Sequence, residues 1–396
     1  MRTPALVLAL AIGGCGSDAS PDAPPGLDAS APTDGGASAD ARPGDAGAQD
    51  AAVADAGPVG TLYALVGSGD GNVRVFEVDA ASATLSEKGM VAAGQGPSFI
   101  AVDPARRRVF SVEEGGPGRV RAFTFDPATA ALTPNGMVGA EGAGPAHLSI
   151  DPTGKWVLVA SYTAGSVAVF PVDATGALGA AADKKSPGML AHQIITDRAG
   201  AHVFVPCLGS NLVAQFLFDG ALGKLTANNP ASVSPPPNAG PRHMALHPTE
   251  KFAYLINERA STLTSMTYDA QSGKLAPIET TTTLPAGFVG QNTTAEVVAH
   301  PAGRFVYGSN RGHDSIAIFS VDGASGKATL TGHQATGGRT PRSFALDDEG
   351  KILVAANQGS GTLSVFRVDA ASGALSPAGA PVSVDAPSFV GLWRIP

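Results

Sequence analysis

KWVLVASYTAGSVAVFPVD, Lys155 to Asp173, decides the fold. It reads as two apolar strands joined by a short turn of small and polar residues. The block returns as RFVYGSNRGHDSIAIFSVD (Arg304 to Asp322) and as KILVAANQGSGTLSVFRVD (Lys351 to Asp369). Seven copies lie between Thr61 and Trp393. Their anchor aromatic falls at Phe76, Phe123, Phe170, Phe216, Phe319 and Phe366, and Met266 fills the slot in the fifth copy. Successive anchors are 46 to 53 residues apart, the period of four-stranded propeller blades. The expected fold is all-β: a seven-bladed β-propeller of four-stranded antiparallel blades.

One full repeat reads GPRHMALHP, KFAYLINE, STLTSMTYD and GKLAPIETTTTLP. The first two runs lack clean alternation, as strands buried on both faces do. The last is threonine-rich, as an outer edge strand should be. The repeat starts one strand late, with TLYALVG from Thr61, and ends with PSFVGLW at Trp393. That ending matches the innermost-strand sequence PSFIAVD of Pro97 to Asp103. The last strand is therefore expected to complete the first blade and so remove the open edge of the ring.

Residues 59–396 form this domain. The first 15 residues read as a lipoprotein signal peptide. Arg2 precedes the apolar run Leu6 to Ile12, which is too short to span a bilayer. The run leads to Ile-Gly-Gly-Cys at Cys15, which resembles a lipobox with Cys15 as the lipidation site. Residues 16–58 contain no aromatic residue and are mostly Ala, Asp, Gly and Pro. Eight aspartates against Arg42 give this segment minus seven of the chain's formal minus eight. Such a composition cannot offset the entropy of ordering, and it reads as a disordered, self-repelling tether. The propeller is left near neutral, which argues against a nucleic-acid surface. The expected setting is the cell envelope, with contact to a membrane through the N-terminal lipid only, and with the protein as a monomer. Cys207 lies in the apolar run HVFVPCLG and reads as a buried, inert thiol.

A propeller sets equivalent positions around one axis, so disagreement among repeats marks chemistry. Aligning the innermost strands gives one ring where the chain begins each strand: Ser98, Ala146, His192, Arg242, Ala295, Arg342 and Ser388. Aligning the third strands gives a second ring just after each second strand: Ser68, Gly115, Tyr162, Leu208, Glu258, Arg311 and Gln358. Both rings belong to the same end of an antiparallel pair, so they face one mouth of the channel. His192, Arg242, Glu258, Arg311 and Arg342 fall in one arc. Converging guanidiniums make a bidentate site for carboxylate or phosphate, and a carboxylate held among them stays ionised. Tyr162, Gln358, His243 and His313 are further candidates for contacting a substrate. Rim ion pairs and strand-end histidines are the structural alternative. There is no HExxH, no paired cysteines and no GxSxG elbow. No metal or cofactor is expected.

GPAHLSIDPTGKWVLVASYTAGSVAVFPVD, AGPRHMALHPTEKFAYLINERASTLTSMTYD, AHPAGRFVYGSNRGHDSIAIFSVD and TPRSFALDDEGKILVAANQGSGTLSVFRVD resemble the seven-bladed propeller lactonases. These include propeller-type 6-phosphogluconolactonases and the carboxy-muconate lactonising enzyme. The resemblance covers Thr61 to Trp393, and its most specific pieces are GPRH, the NE of LINE and SNRGHDS. It implies a catalytic set of Arg242, Glu258, Arg311 and His192. The arginines would orient an anionic lactone, Glu258 would activate water, and His192 would protonate the leaving alkoxide. The chain departs from the family at Ser161, where Asn is common, and at Glu113-Glu114-Gly115-Gly116. The alternatives are a non-enzymatic surface propeller that binds a ligand or partner, and an isomerase that opens or closes a muconolactone ring.

Overall fold

The computed structural model describes residues 59–396. The expected signal peptide, Cys15 lipidation site and tether lie outside the described residues.

The described residues form seven four-stranded antiparallel sheets. The first blade is closed as expected: Phe389–Ile395 pairs with Thr61–Gly67, with Leu65 opposite Gly391. The other blades follow in chain order, with innermost strands Ile100–Asp103, Pro145–Ile150, Ile195–Thr196, Pro241–Leu246, Thr293–Ala299 and Pro341–Leu346. The second strand of each blade is buried along nearly its whole length, as in Phe252–Asn257 and Ile352–Asn357. The outermost strands, such as Lys274–Thr282, are largely exposed.

The cores lie between blades. Leu62, Ala64 and Phe76 of the first blade pack against Ile352, Val354 and Leu363 of the seventh. The anchor Phe319 of blade six packs against Tyr254 and Ile256 of blade five. Burying a side chain of this size is worth about 1.5–3 kcal/mol, so each blade depends on its neighbours, including the pair that closes the ring. Cys207 is fully buried in blade four, and burial pushes its thiol up to about 12.

At the channel end away from the two rings, histidines latch successive blades. His247 Nε2 lies 2.8 Å from the carbonyl oxygen of Gly303, and His300 Nε2 lies 3.0 Å from that of Gly350. A Cβ at Gly303, where φ is +71°, would come within 2.6 Å of the His247 ring. Glycine serves there both for the turn and for the close approach.

Candidate active site

A recurring backbone irregularity builds the mouth. The pairing of first and second strands shifts between Pro145 and His147, between Pro241 and His243, between Thr294 and Val297, and between Pro341 and Ser343. In a regular strand, consecutive residues point to opposite faces. A bulge re-aims one side chain, so two consecutive residues can both face the channel. Arg242 and His243 do so, as do Arg342 and Ser343: all four line one recess with Ser98, Ala146, His192, Glu296 and Ser388. The channel therefore carries two layers. The upper is the first ring read from the sequence. The lower is Phe99, His147, Gln193, His243, Glu296, Ser343 and Phe389, one residue further along the chain in each blade.

The second ring reaches the same end through one repeated bond. In five blades the amide of the residue after the second strand donates to a carbonyl two residues before the first-ring position. Tyr162 donates to Gly144 (2.7 Å), Leu208 to Leu190 (3.0 Å), Glu258 to Gly240 (2.7 Å) and Gln358 to Thr340 (3.0 Å). In blade two the residue making this bond is Glu114, to Gly96 at 3.0 Å. It is Glu114, not Gly115, that occupies the ring. Counting back from the third strand slipped by one because the turn is longer there: Glu113 pairs with Arg119, whereas Ser161 pairs with Ser166.

The arginine arc converges on carboxylates. Nε of Arg242 and Nη2 of Arg311 lie 3.0 and 3.1 Å from the same Oε2 of Glu258. Arg342 Nη2 reaches Oε2 of Glu114 at 3.4 Å. Carbonyls hold the guanidiniums in place: Arg242 Nη1 donates to Ala295 at 2.7 Å and Arg311 Nη2 to Thr294 at 2.9 Å. The Arg242 Nε contact with Glu258 is an ion pair without hydrogen-bond alignment. Nε of Arg242, Nε of Arg311 and Oγ of Ser98 are buried and, among the described residues, have no hydrogen-bond partner. Arg242 is 3% exposed. Burial, then Arg311 and Arg342, push it down to about 9, and Glu258 only partly offsets them. A guanidinium in a satisfied salt bridge would shift the other way. The arc is short of negative charge.

His192 stands in the same recess, with its ring edge-on to Tyr162 at 5.3 Å. Burial, then Arg242 and His243, hold it well below its usual range, so it is neutral at pH 7. Burial, then Glu258, raises the Tyr162 phenol. His243 lies in the lower layer and is equally buried. It too is held well below its usual range, by burial and then Arg242, Arg342 and Arg311. Its Nε2 is 3.2 Å from Nδ1 of His192, and its Nδ1 is 2.8 Å from Oε1 of Glu296. Burial pushes Glu296 up to about 7 against the pull of Arg242 and Arg342. Phe99, with its ring tilted against those of His147 (3.8 Å between centroids) and Phe389 (4.5 Å), forms the apolar part of this layer.

Two candidates lie apart from the cluster. His313 Nδ1 is 2.6 Å from Ser315 Oγ, and its ring packs against Phe288 and against His333 of the outermost strand of blade six. These partners put it on the flank of the blade. Gln358 holds its ring position through its backbone, but among the described residues its side chain bonds none of the arginine cluster. A wider cleft of about 720 Å³ opens beside the mouth, lined in part by Asn292, Arg311, Asp314 and Arg339. Arg311 joins this cleft to the Glu258 pair. Among the described residues, no group of three or more His, Cys, Asp or Glu is arranged to hold a metal ion.

The family described as lactonase, 7-bladed beta-propeller, matches residues 59–392. A 6-phosphogluconolactonase of Bacillus subtilis is 31% identical over 288 residues, 70% of this chain and 82% of that protein. One from Pectobacterium carotovorum is 37% identical over 205 residues, 52% of this chain and 61% of that protein. The chain thus spans about six tenths of the length of the first curated relatives it matches. Among solved structures, a periplasmic gluconolactonase of Pseudomonas aeruginosa superposes with a TM-score of 0.79 at 29% identity, over 85% of this chain and all of that one.

Proposed function

The chain belongs to the seven-bladed β-propeller lactonase family, and from that premise we propose that it hydrolyses an anionic lactone at the arginine-lined mouth. The observation that carries this reading is the convergence of Arg242 and Arg311 on one oxygen of Glu258, with a neutral His192 in the same recess. An anionic substrate supplies the negative charge that the arc lacks. Arg242, Arg311 and Arg342 orient it, and the Nε–H groups of Arg242 and Arg311, which have no hydrogen-bond partner among the described residues, stabilise the oxyanion as the carbonyl is attacked. Oε1 of Glu258 takes part in neither ion pair and holds the attacking water. His192 carries the proton that the leaving alkoxide needs. Tyr162 packs beside it and limits water access. Arg339 and Arg311, in the wider cleft, receive the rest of the substrate.

Cys15 as a lipid attachment site would put the enzyme in the cell envelope, and a periplasmic neighbour of similar fold supports that setting. The substrate class is a sugar lactone carrying a carboxylate or phosphate. The test is a comparison of 6-phosphoglucono-δ-lactone, glucono-δ-lactone and muconolactone with the full-length chain. The reading expects ring opening well above the spontaneous rate, with a lower KM for the charged sugar lactone than for the neutral one. Failure to open any lactone overturns it.

A further inference from the structure

A neutral His192 can protonate a leaving alkoxide only after it has acquired a proton. The lower layer of the channel holds what is needed. Nδ1 of His192, the two nitrogens of His243 and Oε1 of Glu296 form one chain of hydrogen bonds at 3.2 and 2.8 Å. All three residues are less than a tenth exposed. Glu296 is further fixed by its own amide donating to Ser309 Oγ at 3.0 Å and by the Val297 amide donating to its Oε1 at 3.1 Å. Among the described residues, nothing hydrogen-bonds Nε2 of His192. The charged and titratable groups around the chain are Arg242, Arg311 and Arg342 from above, Tyr162, whose ring lies 5.3 Å from that of His192, and His147, whose ring lies 5.5 Å from that of His243.

Such a chain has two self-consistent arrangements. With Glu296 ionised, His243 donates from Nδ1 to Glu296 and accepts at Nε2 from Nδ1–H of His192. Nε2 of His192 is then a bare acceptor towards the mouth. With Glu296 protonated, each bond reverses, and Nε2–H of His192 is a donor. We propose that Glu296 and His243 are positioning residues that reverse the polarity of His192 through this relay, making it first a base and then an acid in one turnover. This rests on the lactonase reading of the mouth. In the first step Nε2 of His192 takes a proton from water, Nδ1–H passes to His243, Nδ1–H of His243 passes to Glu296, and the hydroxide adds to the lactone carbonyl. In the second step the ring C–O bond breaks, Nε2–H protonates the alkoxide, and the relay runs back. Water is consumed, the hydroxy acid is formed, and no proton is gained or lost by the protein. Glu296, held near pH 7 by its burial, is poised so that neither arrangement is far uphill at neutral pH.

Nitrogen NMR of the histidine rings in the full-length chain tests the relay without a substrate. His192 is expected to pass from the Nε2–H to the Nδ1–H tautomer as pH rises, with a midpoint near 7, and Glu296→Gln should abolish the passage. A single tautomer across the titration, or an unchanged passage in Glu296→Gln, overturns the proposal. On a hydrolysed lactone, Glu296→Gln should lower kcat by about 10²-fold, with KM within about twofold and the limb near pH 7 gone from the rate profile. A folded variant with normal kcat and an unaltered profile also overturns it. If the wild type opens no lactone, the lactonase reading fails, while the tautomer titration still decides the relay.

Discussion

Arg242 Nε and Glu258 Oε2 are 3.0 Å apart, yet their bond is misaligned and the guanidinium stays well short of full compensation. Glu258 divides one oxygen between Arg242 and Arg311. Among the described residues, the one ion pair of Arg342 is a 3.4 Å contact with Glu114. Three cations thus face two carboxylates at the mouth. A third carboxylate, Glu296, lies a layer below and is held near neutrality. A charge imbalance maintained in a buried recess costs stability, and it is relieved when an anion binds.

Glu258→Gln keeps the size of the side chain and removes the charge that joins two guanidiniums. It also removes the acceptor that holds the attacking water, so kcat on a hydrolysed lactone should fall by about 10²-fold, the cost of a misplaced reactant. Steady-state kinetics on a variant shown to melt cooperatively checks this. Turnover at the wild-type rate would remove Glu258 from the reaction.

Arg342 is the least encumbered guanidinium of the arc. Arg342→Ala should raise KM for a charged lactone by about tenfold or more, the worth of one charge-assisted contact. It should change KM for a neutral lactone little. An equal effect on both substrates would mean that Arg342 acts on the fold and not on the anion.

Stability should also depend on pH through Glu296, whose folded value lies near 7 against 4.5 for the free group. Between these values the folded state binds more protons than the unfolded one, so the buried carboxyl destabilises progressively as pH rises from 4.5 to 7. Glu296→Gln should therefore be more stable than the wild type at pH 8, by up to about 3 kcal/mol, with the gain vanishing near pH 4. His147, His192 and His243 act in the other sense. They are held below their usual range, so the unfolded state binds more protons as pH falls below 6.5 and stability drops. Melting temperature across pH 4 to 9 in both proteins reads the two arms. A Glu296→Gln gain that does not grow with pH would contradict this assignment.

The Phe389–Ile395 strand closes the ring against Thr61–Gly67. Deleting 387–396 exposes that edge and strips the partners of Leu65 and Val66. Loss of the single cooperative melting transition is expected. Native-like melting of the truncated chain would refute closure by this strand.

The ring of blades was legible because six of the seven copies keep a phenylalanine anchor, with Met266 in the fifth, and the period is nearly constant. The match of PSFVGLW to PSFIAVD further identified the closing strand. Arg242 and Arg342 were legible because each is the second residue of an innermost strand at an aligned position, and His192 because it holds the equivalent place three residues before the short strand Ile195–Thr196. Glu296 was missed for a physical reason. In a regular strand, the residue after Ala295 would point away from the channel, and only the bulge between Thr294 and Val297 turns it inward. His243 was considered for the same mouth, but its place under His192 depends on the same kind of bulge between Pro241 and His243. The repeats do disagree in that row, from Phe99 through Glu296 to Phe389, and an alignment carried one residue further would have marked it. Glu114 was hidden by one extra residue in the Glu113 to Arg119 turn.

The proposed anchor has its own test. Cys15→Ser should move the full-length chain from the membrane fraction to the soluble fraction of a bacterial host, with loss of lipid mass from the N-terminal peptide. Unchanged fractionation would count against acylation.

The most direct measurement is the rate of ring opening of a charged sugar lactone by the full-length chain, compared with Arg242→Lys under the same conditions. Lysine keeps the charge and loses the fork that reaches Glu258 and Ala295. The account predicts enzyme-dependent hydrolysis by the wild type and a loss of about 10²-fold in kcat/KM in the variant. No hydrolysis by the wild type, or equal rates in the two proteins, would contradict it.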